Sequence, residues 1–204
     1  MNTQGTPIAL PLRLWLGVEV LFGIGAVMSI GLSPQDSATN FAWPILPVVM
    51  AAVLGGFYIT SAPLFLLPFF AKRWEMIRSM ILPTALFSVL QTAATFLHWD
   101  KFSVGSLPFY VWLASYVLPP PIFIAAYILH QRKSSSSSDA SDDPIPAWIR
   151  GLLILCGGVL TVTAILVFIA PNLLIPIFPW QLTPLTARSF CAWLAAVGTI
   201  MLSM

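Results

Sequence analysis

The chain has 204 residues, 58% of them apolar or aromatic and only 8% charged, with a net charge of +2 and a mean hydropathy of +0.91. A water-soluble domain of this length could not cover so much apolar surface, and the few basic residues sit in connectors rather than in the patch that nucleic acid requires. The solvent is therefore lipid, and because the apolar runs are continuous rather than alternating, membrane helices are predicted instead of barrel strands.

Crossing about 30 Å of hydrocarbon takes roughly 20 apolar residues. Six segments qualify: 12–32, 45–70, 79–98, 107–129, 148–169 and 184–204, taken as spans 1 to 6. Span 1 carries Arg13 ahead of its apolar run, yet the run is too long for a signal peptide and five spans follow, so it reads as an uncleaved anchor. Glu19 lies six residues beyond Arg13, about 9 Å deeper at 1.5 Å per residue. An ionisable group inside a span is costly and hence a candidate site. Glu19 reads either as a proton or cation site or as a carboxyl that bonds a neighbouring helix or reaches water.

After span 1, Phe41 and Trp43 sit among prolines, as do Phe178 and Trp180 after span 5. Rings in such places are expected to anchor the water–lipid boundary, and the same role is expected of the His98–Phe102 rim with Phe109, Tyr110 and Trp112. Small residues at four-residue spacing are expected to let helices approach closely within the molecule. These are Gly25/Ser29 in span 1, Ala51/Gly55 and Ala52/Gly56 in span 2, and Ala187/Cys191/Ala195 in span 6.

Span 3 carries Thr84, Ser88, Gln91, Thr92, Thr95 and His98 at three- and four-residue steps, a polar stripe on one helical face. Span 4 carries Pro119, Pro120 and Pro121 near its centre. Prolines remove amide donors and leave carbonyls in need of partners that lipid does not offer. Broken helices beside polar faces mark the binding sites of many repeat-built transporters. The candidate substrate-binding residues are Ser88, Gln91, Thr92, Tyr116 and, approaching from span 1, Glu19; the alternative is a simple packing kink.

Residues 131–146 are a Ser-rich, Asp-containing linker. It separates a four-span unit, residues 1–130, from residues 147–204. Shifting the chain by 137 positions places Pro7, Ile8, Arg13, Leu16, Pro34, Phe41, Trp43 and Pro47 on Pro144, Ile145, Arg150, Leu153, Pro171, Phe178, Trp180 and Pro184 without a gap. Spans 1 and 2 are thus predicted to be equivalent to spans 5 and 6 in a parallel internal repeat. The second copy is incomplete, with Met204 aligning to Leu67. A shortened eight-span parent and a naturally six-span variant fit this equally.

Arg13, Lys72, Arg73, Arg78, Arg132, Lys133 and Arg150 flank one set of connectors, while only Lys101 and Arg188 belong to the other side. The positive-inside rule then predicts both termini in the cytoplasm, with Ser136 inside and Asp100 outside. Arg188 is expected to snorkel to the outer headgroups, too far from Glu19 to pair with it. Cys156 and Cys191 lie near opposite faces, so a mutual disulfide is not expected; both read as small apolar fillers.

No phosphate-cradling loop, no zinc motif and no nucleophile elbow occurs, so no catalytic residue, metal or cofactor is expected. The functional expectation is a small-solute or ion permease, or part of one, in the cell membrane. The alternative is a non-catalytic membrane subunit or scaffold; third comes an enzyme acting on lipid through Glu19 or the His98/Asp100 pair. The expected partners are the lipid bilayer and a membrane-protein partner or second copy, with no nucleic acid.

Overall fold

The computed structural model describes residues 5–134 and 145–204; most of the Ser-rich linker, including Ser136 and Pro144, lies outside the described residues. Among the described residues there is no sheet, only an isolated bridge between Pro7 and Arg73. Helix α1 (Leu10–Ala26) runs on as a π-helix over Val27–Gly31, and α2 (Ser37–Asn40) is a single turn in the following loop. Then come α3 (Val48–Phe70), α4 (Arg78–Leu97), α5 (Leu107–Val117), α6 (Pro119–Ser134), α7 (Ala147–Ile169) and α8 (Pro184–Leu202). Six helices are long and apolar enough to cross a membrane, with α1 and its extension as span 1, α5 and α6 together as span 4, and α3, α4, α7 and α8 as spans 2, 3, 5 and 6. The protein is an integral, multi-pass membrane protein.

Local chemistry sets several boundaries. The Ser106 hydroxyl accepts the Phe109 amide at the start of α5, and Thr183 accepts the Thr186 amide at the start of α8, each 3.2 Å long. Each cap is followed by a proline in the first turn, where the missing N–H costs nothing. Span 4 changes helix at Leu118, directly before Pro119, where the predicted interruption falls.

The start of α1 with Arg13, the connector with Arg73 and the end of α6 with Arg132 define the basic end of the bundle; the opposite end is the far end. Spans 3 and 6 form its centre. Span 6 lies between spans 3 and 5, span 4 packs on the other side of span 3, and span 1 packs on span 2. The sequence halves on either side of the linker therefore share one core, in which the rings of Phe87 in span 3 and Trp193 in span 6 lie 4.2 Å apart. A second cluster closes the basic end, built from Leu12, Leu16, Trp74, Ile81 and Phe123. There the indole of Trp74 stacks on His130 at 4.9 Å, and the Ala9 amide donates to His130 Nε2 at 3.1 Å.

Two of the small-residue rows pack as expected. A methyl group on Gly55 would stand 2.5 Å from the Ile30 carbonyl oxygen, so spans 1 and 2 cross with backbones nearly touching. Ala187, Cys191 and Ala195 are buried along span 6. Spans 5 and 6 make an equally close crossing at Gly157, where a methyl would stand 2.8 Å from the Gly198 oxygen. The other rows do not pack: Ala52 is exposed, and a methyl on Gly56 or Gly25 would meet nothing within 4 Å.

The aromatic anchors require correction. Phe41 and Trp43 are buried, with rings 4.9 Å apart, and Trp43 continues into Phe102 and Trp112. The loop folds back over the helix ends, because burying these large rings on one another removes more apolar surface than leaving them at a headgroup boundary. Phe178 and Trp180, 4.8 Å apart, are half-buried. Trp99 and Tyr110 remain exposed at the rim.

Arginines close two helix ends, where carbonyls lack amide partners and the helix dipole favours a cation. Arg13 donates to the Ala71 carbonyl at 2.8 Å, just past the end of span 2. Arg188, expected to snorkel, instead donates to the Phe168 carbonyl at the end of span 5 at 3.0 Å and to His98 Nε2 at 2.6 Å. Neither approaches Glu19 through a hydrogen bond or ion pair. Cys156 and Cys191 are both free.

Candidate functional site

The polar stripe of span 3 divides its partners between two neighbouring helices. Thr92 donates to the Tyr116 carbonyl of span 4 at 2.8 Å. Gln91 turns to span 6, where it accepts from the Ser189 hydroxyl at 3.0 Å and donates to the Ser189 carbonyl at 3.4 Å. Ser88 bonds back to the Thr84 carbonyl of its own helix. Thr95 accepts from the Trp112 indole of span 4 at 2.9 Å. The expectation that Ser88, Gln91 and Thr92 all face the broken helix is therefore met by Thr92, while Ser88 bonds within span 3 and Gln91 is held to span 6 by both polar groups of Ser189.

Beside this face lies a cavity of about 240 Å³. Span 1 contributes Glu19, Gly23, Gly25 and Ser29 to its wall, span 3 contributes Thr84, Phe87 and Ser88, and span 4 contributes Trp112, Ser115 and Tyr116. Tyr58 of span 2 and Trp193 of span 6 complete it. Four lining residues are exposed, Asn40 and Leu107 towards the far end and Gly25 and Val111 within the spans, while the Leu12–Leu16–Phe123 cluster lies towards the basic end. A side chamber of about 30 Å³ shares Phe65, Thr84, Phe87 and Trp193 with it and continues along span 6 to Ala196 and Ile200.

Of the five residues predicted for a site, Ser88, Tyr116 and Glu19 line this cavity together, whereas Gln91 and Thr92 lie behind the wall as supports. Glu19 is 7% exposed. Trp15, one turn earlier, is a neighbour of its carboxyl, yet neither the indole N–H nor Glu19 Oε1 closes a hydrogen bond. The Tyr58 and Tyr116 hydroxyls meet at 2.5 Å. One proton serves that bond, so a second remains for another acceptor, and Glu19 lines the same cavity.

Sequence reasoning missed Tyr58, Phe87, Trp112 and Trp193 as wall residues, and Ser189 as the partner of Gln91. Tyr58 carried a usable signal: it is one of four tyrosines and stands mid-span, away from the boundaries where Tyr is enriched. The others are indistinguishable from packing residues in an apolar run.

The His98/Asp100 pair does not form a dyad. His98 Nε2 accepts from Arg188, while Asp100 pairs with Lys101 at 2.7 Å on the exposed rim. Burial and then the Arg188 charge hold the His98 imidazole below its ordinary pKa. Among the described residues no group of three or more metal-ligating side chains occurs. Compared with family models, curated proteins and solved structures, the chain matches none.

Proposed function

We propose that the protein is a small-solute permease, or the solute-binding part of one, working through the cavity between spans 1, 3 and 4. The observation that carries this reading is the coincidence, in one cavity wall, of an intramembrane carboxyl with a helix broken at mid-span. Glu19 and Tyr116 both line the cavity, and Tyr116 stands in the last turn before the break at Leu118. The π-helical stretch Val27–Gly31 adds a second irregularity to the same wall, since Ser29 lies within it. Irregular backbone at membrane depth belongs where it lines a cavity or packs on protein, and helices with such joints can rock as two half-helices.

The same reading places both termini in the cytoplasm and makes spans 1–2 and 5–6 copies of one hairpin. Three local features support the duplication. Pro34 and Pro171 each begin a 3-10 turn, the Phe-x-Trp pairs have ring separations of 4.9 and 4.8 Å, and Ile45 and Leu182 are both buried. With this orientation Asn40 and Leu107 of the cavity wall lie towards the outer side and the Trp74 cluster towards the cytoplasm. Reporter fusions at Lys133 and Asp100 should report opposite sides; finding both on one side would sink the topology.

The function is tested by reconstituting the full chain in proteoliposomes and measuring uptake of a panel of small labelled solutes. Saturable uptake that Glu19→Gln reduces supports the permease. Uptake no faster than in empty liposomes across the panel, with a stoichiometric membrane partner recovered instead, would put the scaffold reading in front.

A further inference from the structure

We infer that the cavity is a binding site for a small organic ammonium group; this deepens the permease reading and rests on the same site. The chemistry is that of a cation acceptor. Glu19 is buried, with Oε1 unpartnered, and lines the cavity. No lysine, arginine or histidine lines the wall to neutralise it. A buried carboxylate without a counter-charge is strongly disfavoured, so the ionised form of Glu19 calls for an occupant that brings a positive charge, and the wall offers an anion no counter-charge.

The remaining wall selects the kind of cation. Phe41, Tyr58, Phe87, Trp112, Tyr116 and Trp193 line it as a continuous set of rings. Phe87 lies 4.2 Å from Trp193 and 5.5 Å from Tyr116, and Trp112 lies 4.3 Å from Tyr116. Aromatic faces attract a weakly hydrated ammonium by their quadrupoles, as in the cages that recognise quaternary amines. A bare metal ion would need several oxygen ligands, whereas the wall offers one carboxyl, the Asn40 amide and scattered hydroxyls. At about 240 Å³ the space also exceeds what a single ion fills. The same ammonium chemistry is found in free amines and in zwitterionic lipid headgroups.

Choline and its uncharged isostere 3,3-dimethyl-1-butanol are the probes, titrated into the full chain in phosphatidylglycerol nanodiscs and followed by calorimetry and tryptophan fluorescence. Choline should bind saturably, with a Kd of about 1 mM or tighter and about tenfold tighter than the isostere. Glu19→Gln should remove that preference. A second variant guards against misfolding: Gly23 lines the cavity and a methyl there meets nothing within 4 Å, so Gly23→Phe should abolish choline binding while the chain elutes and melts as wild type.

Nanodiscs of phosphatidylcholine separate the sources. Suppressed choline binding there assigns the site to lipid headgroups, and undiminished binding assigns it to a free amine. Equal affinity for choline and the isostere, absence of binding to either, or binding that Glu19→Gln leaves unchanged overturns the inference. Ammonium binding without flux in proteoliposomes would sink the permease and leave this site standing. Glu19-independent flux of uncharged solutes would do the reverse.

Discussion

The hydroxyl of Thr92 donates to the carbonyl oxygen of Tyr116 at 2.8 Å, and Tyr116 is four residues before Pro120. In an uninterrupted helix that carbonyl would accept the amide of residue 120, which proline lacks. Span 3 thus supplies the donor that span 4 has lost, and the two helices are joined at the joint itself.

Thr92→Val keeps the shape and deletes the donor, so it should lower stability by about 1–2 kcal/mol. Thr92→Ser should retain most of the wild-type value. Thermal unfolding of the purified variants in one detergent gives the comparison; an unaffected Thr92→Val would mean that another donor reaches the Tyr116 carbonyl.

Gln91 and Ser189 exchange two hydrogen bonds at the centre of the bundle, and both are about 1% exposed. Gln91→Leu should destabilise by about 1–3 kcal/mol, since it orphans the buried Ser189 hydroxyl. Ser189→Ala in the Gln91→Leu background should cost less than it does alone. A double-mutant cycle with no coupling would show that the pair contributes nothing beyond packing.

Glycine substitutions should move stability in opposite directions. Gly55→Ala drives a methyl against the Ile30 and Gly31 backbone and should cost about 1–3 kcal/mol by overpacking. Gly25→Ala meets open space and should raise stability by about 0.5–1 kcal/mol through helix propensity. Equal shifts from the two would refute the close crossing of spans 1 and 2.

His98 predicts a pH dependence. Its Nε2 accepts from Arg188 only when neutral, and burial followed by the Arg188 charge lowers its pKa from the ordinary 6.5. The unfolded chain therefore takes up the proton first as pH falls. The contribution to stability is complete above about 6.5 and is lost as pH drops through the folded value. His98→Gln, whose side-chain oxygen can still accept, should flatten the thermal midpoint between pH 7 and 5. A variant with the wild-type slope would show that other groups set it.

Span number and most span limits were legible in the sequence because lipid imposes a length of apolar chain that little else requires. The break in span 4 and the Thr92 contact were legible for a similar reason: proline creates a local demand and a polar stripe a local supply. The direction of Gln91 was not. A stripe on a helix surface is wider than one neighbour, and only the packing of span 6 against span 3 decides which helix claims which residue. The aromatic pair Phe41–Trp43 was misread because composition near a span end cannot tell a ring that faces headgroups from one that a loop folds inward.

Gln91 finds Ser189 98 positions further along the chain. At about 5–20 residues per second of synthesis, roughly 5–20 s pass between the two. During that interval span 3 is already made, but the amide it will bury has no lasting partner, and spans 1 to 4 form a group whose central helix is still unfinished on one side. Span 3 gains its second neighbour only when the hairpin of spans 5 and 6 is made. Nascent chains halted before residue 184 should consequently remain in contact with the insertion machinery, and release should come only once span 6 slides into its place against span 3.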